Sequence, residues 1–218
     1  MYRLTAELQK MVLKPETNTT RHTLMVVGEY LMGEQGLDTP PLHVIAAEAG
    51  QSNRYAVQYH FTDRQGLVHA IMLKRNEAIV LRRAQLALEA VTMGLHTEVG
   101  ALVEAMFLPV IEQIGDREAS SYVRLLMLWL NLPWQHDLMQ VRQDVTEDPH
   151  TKSLLKMFEA ALPNLTPDQI SWRLRIQSRQ VLNCLVEHDN LRRMGKAIVS
   201  ETELILGTFA MIAAAMAA

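Results

Sequence analysis

Apolar residues recur along most of this chain at intervals of three and four, the spacing of one helix face, and nowhere does an apolar-polar alternation sit between hairpin turn dipeptides. The pattern predicts an all-α fold. Leu24, Val27, Leu31 and Met32 mark a first helix that Thr19 or Thr20 can cap and Gly36 can stop, because glycine enters the conformations of a helix end cheaply. Thr39, ahead of Pro40 and Pro41, reads as an N-cap followed by prolines in the first turn, where a missing amide hydrogen has no partner to lose. A short helix would run from there to about Glu48. Ala49-Gly50-Gln51-Ser52 interrupts it, with Gly50 suited to a tight bend and Ser52 able to cap a further short helix from Asn53 to about His60. Two short helices joined this tightly make a helix-turn-helix candidate.

After Phe61, Asp63 can cap a long helix through Leu67, Ile71, Ala78 and Leu81 towards Val91, with nothing to break it before Gly94. That length suits a connector between modules. Downstream, helices are expected for Thr97 to Ile114, interrupted by Pro109, and for Ser120 to Asn131, stopped by Pro133. Others fit Pro149 to Ala161, Pro167 to Glu187 and Ser200 to Ala217. The last of these is almost wholly apolar, yet it falls short of the ~20 residues that span a bilayer and reads as a buried helix. No repeat or low-complexity linker appears. The expected division is an N-terminal extension over 1–18, a helix-turn-helix domain over 19–75 and a larger helical domain over 76–218, with the boundary inside the long helix near Lys74 to Ala78.

A length of 218 residues suits one small and one larger module, and 49% hydrophobic against 21% charged residues supplies ample core material. The net charge of −3 excludes a molecule that attracts nucleic acid over its whole surface, so any such contact needs a local patch. One exists: between Gly50 and Arg75, Arg54, Arg64, Lys74 and Arg75 face a single acid, Asp63. The lone cysteine, Cys184, excludes an intrachain disulfide and any cysteine-cluster metal site, and fits a reducing cytoplasm. From Met1 to Thr20 the residues Arg3, Glu7, Lys10 and Lys14 break up the apolar positions, so no signal peptide is expected.

A helix-turn-helix works because one helix braces across the DNA backbone while the next offers side chains to base edges in the major groove. The second helix must be short, exposed and polar. In Asn53-Arg54-Tyr55-Ala56-Val57-Gln58-Tyr59-His60-Phe61, the residues Asn53, Arg54, Tyr55 and Gln58 are available for bases or phosphates, while Ala56, Val57 and Phe61 can pack inward. A merely solvated helix face would have the same pattern.

Further landmarks carry a resemblance. Arg21 opens and Gly36 closes the first helix; Ile45-Ala46 and Ala49-Gly50 lead into the turn; Gln58-Tyr59-His60-Phe61 is followed by Arg64 and Leu67. In these residues and their spacing, Arg21 to Leu67 resembles the N-terminal domain of the TetR family of bacterial transcriptional repressors. The resemblance implies that Tyr59 and His60 hold phosphates, that Arg64 does so from the start of the fourth helix, and that Asn53, Arg54 and Tyr55 face bases. The sequence departs from the family pattern in three respects. One extra residue between Gly50 and the His-Phe pair leaves the register of the recognition helix open. Pro41 stands at the usual threonine cap of the second helix, which moves that phosphate contact to Thr39. Gln58 replaces the usual tyrosine, with Tyr59 one place later.

In this family the C-terminal helices form a variable ligand pocket, and the last two pack against a second subunit. Ile170, Leu174, Val181, Leu182 and Leu185 form an apolar stripe, and Leu204, Gly207, Ala210, Met211 and Ala214 a flatter one of small residues. Ile170, Leu174, Val181, Leu185, Leu204 and Met211 are the expected homodimer contacts. Met106, Phe107, Met127, Trp129 and Trp134 are candidates for the pocket of a small apolar effector, with ordinary core as the alternative role for each. His136-Asp137 and Glu187-His188-Asp189 read as solvated caps, since neighbours in sequence point to different helix faces.

The expected function is a ligand-responsive regulator that binds a palindromic operator in double-stranded DNA as a homodimer, with no cofactor, no catalytic or metal site and no membrane contact. Two alternatives stay open: a helical metal-dependent enzyme, and a dimeric interaction protein that binds no DNA. Against the enzyme, the chain has no His-Glu-x-x-His, no paired Glu-x-x-His, no glycine-rich phosphate loop and no Gly-x-Ser-x-Gly elbow.

Overall fold

The computed structural model describes residues 19–113, 120–132, 148–196 and 199–218. The expected N-terminal extension, Trp134 and His136-Asp137 lie outside the described residues. Every regular element among the described residues is a helix: α1 (Thr20–Gln35), α2 (Leu42–Glu48), α3 (Ala56–Phe61), α4 (Arg64–Thr92), α5 (Val99–Glu112), α6 (Ser120–Leu130), α7 (Pro149–Ala161), α8 (Pro167–Arg193) and α9 (Glu201–Ala217). The all-α expectation holds. Among the described residues, no helix is long and apolar enough to cross a membrane.

The chain groups into two units, and the division falls inside α4, between Arg75 and Asn76. Of the described residues, 19–75 and 120–132 form the first unit and the rest form the second, so α6 groups with the N-terminal helices rather than with the other helices of 76–218.

In the first unit, Thr19 caps α1 by accepting from the His22 amide at 3.3 Å, and α1 packs on α2 and α6. A Cβ on Gly33 would lie 2.3 Å from the Ser121 carbonyl oxygen, so only glycine lets the α1 backbone approach α6 this closely. Glu29, nearly buried, accepts two hydrogen bonds from Arg75, that to Nε measuring 2.8 Å, and the Arg75 guanidinium lies 4.9 Å from the Tyr122 ring centre. Burial disfavours the Arg75 charge, yet the Glu29 bonds and charge outweigh it and hold its pKa above the ordinary arginine value.

Two helix starts differ from the sequence expectation. Helix α2 begins at Leu42 with Pro41 as its N-cap and no side-chain cap, so Thr39 does not cap it. Pro41 is extended (φ −59°, ψ 143°), and the residue before a proline is steered away from helix geometry, which delays the start until both prolines are passed. Helix α3 begins at Ala56 rather than Asn53, because Asn53 Oδ1 accepts from the Tyr55 amide at 3.0 Å. That local bond offers the backbone an alternative to the helix, and Ser52 caps nothing.

In the second unit, α5 runs through Pro109 without stopping, and Arg83 ties it to its neighbours by donating to the Met106 carbonyl and the Thr151 hydroxyl, each at 3.1 Å. Thr166 opens α8 and Ser200 opens α9 through reciprocal capping boxes with Gln169 and Glu203. Helix α8 continues six residues past the expected end at Glu187, to Arg193. Asp189 is buried within it and paired with Arg192 and Arg193 at 2.9 and 2.8 Å, while His188 Nε2 meets the Val199 carbonyl oxygen at 3.0 Å. The Glu187-His188-Asp189 run is therefore helix interior and not a cap.

Candidate nucleic-acid interface

Helix α2, the turn at Gly50 and α3 form the helix-turn-helix. Gly50 adopts φ 72°, a left-handed conformation that glycine reaches without strain. The Gln51 amide closes the turn onto the Ala46 carbonyl at 2.9 Å. At six residues, α3 is far below the ~12–15 that an isolated helix needs to persist in water, so packing must hold it. Ala56, Val57 and Phe61 provide that packing from one side, and α2 lies against them.

The opposite side is left to water. Asn53, Arg54, Tyr55, Gln58 and Tyr59 are exposed, and Tyr59, at 82%, is the most exposed large hydrophobic side chain in the described protein. The Arg54 guanidinium lies 5.3 Å from the Tyr55 ring centre, so the cation and the aromatic form one surface feature. His60 is half-buried and meets the Tyr59 ring edge-on at 5.0 Å between centroids. Thr39 is exposed on the loop before α2.

Arg64 has partners within the protein. It is half-buried, and its guanidinium donates to the Leu37 carbonyl at 2.8 Å and to the Pro40 carbonyl at 2.7 Å. The fork that the resemblance assigns to phosphate is spent on binding the start of α4 to the loop between α1 and α2. A further cation has its place here: Arg21, a landmark in the sequence pattern, lies with its guanidinium 4.9 Å from the Phe61 ring centre. Its spacing to the motif gave no sign of that contact, which depends on how α1 crosses α3.

The joint between α3 and α4 is wound tightly. Thr62 takes φ 72° and ψ −53°, and the Asp63 amide bonds to the Phe61 carbonyl at 2.8 Å, which together define the rarer and more strained γ-turn. A Cβ at Gly66 would lie 1.9 Å from the Phe61 carbonyl oxygen, and Asp63 Oδ1 accepts from the Gly66 amide at 2.8 Å as the first contact of α4.

Of the pocket candidates, Met106 and Phe107 are buried in the second unit, while buried Trp129 and half-buried Met127 belong to the first. Trp129 Nε1 is buried with no hydrogen-bond partner among the described residues. The expected dimer stripe divides as well. Ile170, Leu174, Val181 and Leu185 are buried within the chain, where α7 and α9 pack on α8, so they have little surface left to offer another subunit. Leu204 is half-buried and Met211 is 55% exposed. The large apolar side chains that α8 and α9 do leave in water are Trp172, Ile176, Leu206 and Met211.

Residues 104–216 match the family described as "Tetracyclin repressor-like, C-terminal domain". Comparison with curated proteins finds no match. Among solved structures, one similar chain is NalD of Pseudomonas aeruginosa, described as the secondary repressor of the MexAB-OprM multidrug efflux pump. The identity is 17%, the alignment covers 89% of this chain and 96% of NalD, and the TM-score is 0.45. At that distance the likeness bears on neither fold nor function.

Proposed function

The chain belongs to the TetR family of transcriptional regulators, and from that premise we propose that it is a repressor that holds a palindromic operator as a homodimer and leaves it when a small effector binds. One observation carries the DNA-reading part: the turn and α3 bury Ala56, Val57 and Phe61 and leave Asn53, Arg54, Tyr55, Gln58 and Tyr59 in water. A polar cluster with an arginine and two exposed tyrosines is what a groove-reading head requires.

Asn53, Arg54, Tyr55 and Gln58 are assigned to base edges, Tyr59, His60 and Thr39 to phosphates, and Arg64 to holding the head in place. Residues 19–75 read DNA, and 76–218 bind effector and partner. The dimer face is assigned to Trp172, Ile176, Leu206 and Met211, because these apolar groups are uncovered in the single chain. The effector region is assigned to the second unit, with Met106 and Phe107 among its buried side chains. A repressor of this kind works beside the chromosome, and the cytoplasm is its proposed location.

Selection of genomic fragments with the purified full-length protein tests the reading. The expected product is a palindrome with half-site centres about one helical turn, ~34 Å, apart, bound with an affinity that falls steeply as salt rises. Enrichment of no sequence, or binding indifferent to salt, would refute it.

A further inference from the structure

Helix α8 turns Ile170, Leu174, Val181 and Leu185 inward, and Gln177 falls in the same stripe. Gln177 is 8% exposed, and its Oε1 is buried with no hydrogen-bond partner among the described residues. The elements packed on α8 are α7 and α9, whose buried residues are Leu154, Phe158, Thr208, Ile212 and Met216. An amide oxygen left unbonded among such side chains opposes folding, and methionine or leucine would fill the same space without that penalty.

We propose that the effector supplies the missing partner: a predominantly apolar molecule carrying a hydroxyl group, which donates its O–H to Gln177 Oε1. This rests on the reading of the chain as a ligand-responsive regulator, and it makes the effector a phenol or alcohol instead of a bare hydrocarbon. Charge argues for the same class. An anion would meet an acceptor oxygen, which repels it. A cation would need a counter-charge along the same helix, and the buried carboxylate of α8, Asp189, is already paired with Arg192 and Arg193. Asp189 also lies twelve residues along the same helix, ~18 Å away at the helical rise. A neutral hydroxyl needs neither and adds little polar surface to an apolar site.

The test compares 4-hexylphenol with its methyl ether, 4-hexylanisole, which cannot donate a hydrogen bond. Calorimetry on the full-length protein is expected to show the phenol binding at least about tenfold tighter, because a site left with an unpaired acceptor rejects the ether. In Gln177→Met the preference is expected to vanish, while the Tm without ligand stays level or rises. The proposal is overturned by equal affinity for the two probes, by failure of both to bind, or by a preference that survives in Gln177→Met. A fall in Tm or failure of that variant to fold also overturns it, since the amide would then be satisfied without ligand. So does an ordered water on Oε1 in a crystal structure of the free protein. Affinity for the selected operator, measured in parallel, separates this from the regulator reading: absent DNA binding defeats that reading whatever the phenol does, and lost discrimination between the probes leaves it standing.

Discussion

Replacing Arg64 with methionine separates two roles for one charge. The guanidinium binds the Leu37 and Pro40 carbonyls at 2.8 and 2.7 Å, bridging the first turn of α4 to the loop ahead of α2. Hydrogen bonds from a charged donor contribute about 1.5–3 kcal/mol each. Because the group is half-buried and both bonds come from one fork, their sum belongs at the low end, about 2–4 kcal/mol. That is a large fraction of the roughly 5–15 kcal/mol that separates a folded domain from its unfolded chain. Methionine retains the aliphatic stem, so the loss isolates the fork. Urea unfolding followed by circular dichroism should show the deficit. Operator affinity should fall at every salt concentration, with the slope of log K against log salt unchanged. A phosphate contact would behave otherwise, making the slope shallower by about 0.9 with stability intact. Arg54→Met is the companion measurement, since Arg54 is exposed and rests only on the Tyr55 ring. It should change which operator sequence is preferred and keep a stability within about 0.5 kcal/mol of the parent. If Arg64→Met instead lost a unit of salt slope and kept its stability, the strap would be wrong and the phosphate role right.

Five other substitutions probe the same framework. Gly66→Ala sets a methyl group 1.9 Å from the Phe61 carbonyl oxygen, backbone against backbone, and should lose about 3 kcal/mol in urea unfolding; a loss under about 1 kcal/mol would contradict so close an approach. Thr62→Gly relieves a β-branched residue from φ 72°, so stability should rise by on the order of 0.5–1 kcal/mol, read as a higher Tm, and a fall would show that no strain is stored there. The pKa of His22 is lowered from the ordinary 6.5 by burial and then by Lys74 and Arg75, with Glu29 opposing. The folded chain therefore holds the proton more weakly than the unfolded one: stability is complete above pH 6.5 and declines as pH falls through the lower folded value. His22→Gln should flatten Tm against pH in that window, and an unaltered profile would remove His22 as the cause. Trp172→Glu, on an exposed side chain, should yield monomers by analytical ultracentrifugation with the helical circular dichroism retained, whereas Ile170→Ala should lower stability by about 2–5 kcal/mol because Ile170 is core; dimers surviving Trp172→Glu would place the interface elsewhere.

The helices were legible wherever an end signal agreed with the apolar period. Thr19, Gly36, Asp63, Pro149, Pro167 and Ser200 each mark a boundary in the structure within a residue or two. Misplaced boundaries trace to local competition that periodicity does not register: the second proline before α2, the Asn53 side chain on the Tyr55 amide, and the ion pairs of Asp189 that carry α8 past Glu187. Which apolar face of a long helix meets its own chain was not legible. Ile170, Leu174, Val181 and Leu185 make the stronger stripe on α8, and the chain's own α7 and α9 claim it first.

The helix-turn-helix shows why a motif can be plain while its specificity stays hidden. Gly50, Phe61, Gly66 and Leu67 are fixed by geometry: a positive φ, a buried ring, a missing Cβ and a buried side chain. Such demands tie residue type to spacing, and spacing can be seen in a sequence. Among the described residues, Arg54, Tyr55, Gln58 and Tyr59 answer to no partner within the protein that would restrict their type, so their meaning waits on the DNA. Arg64 lies between these cases, because a basic residue at the start of α4 fits both a phosphate and a pair of carbonyls. Only the 2.8 and 2.7 Å contacts distinguish them. A reading head of six helical residues cannot place itself, so its aim is set by that strap, by the turn at Thr62 and by Arg21 over Phe61. Substitutions at those positions should therefore lower operator affinity for all sequences alike, while changes at Arg54 or Gln58 should alter which sequence is preferred.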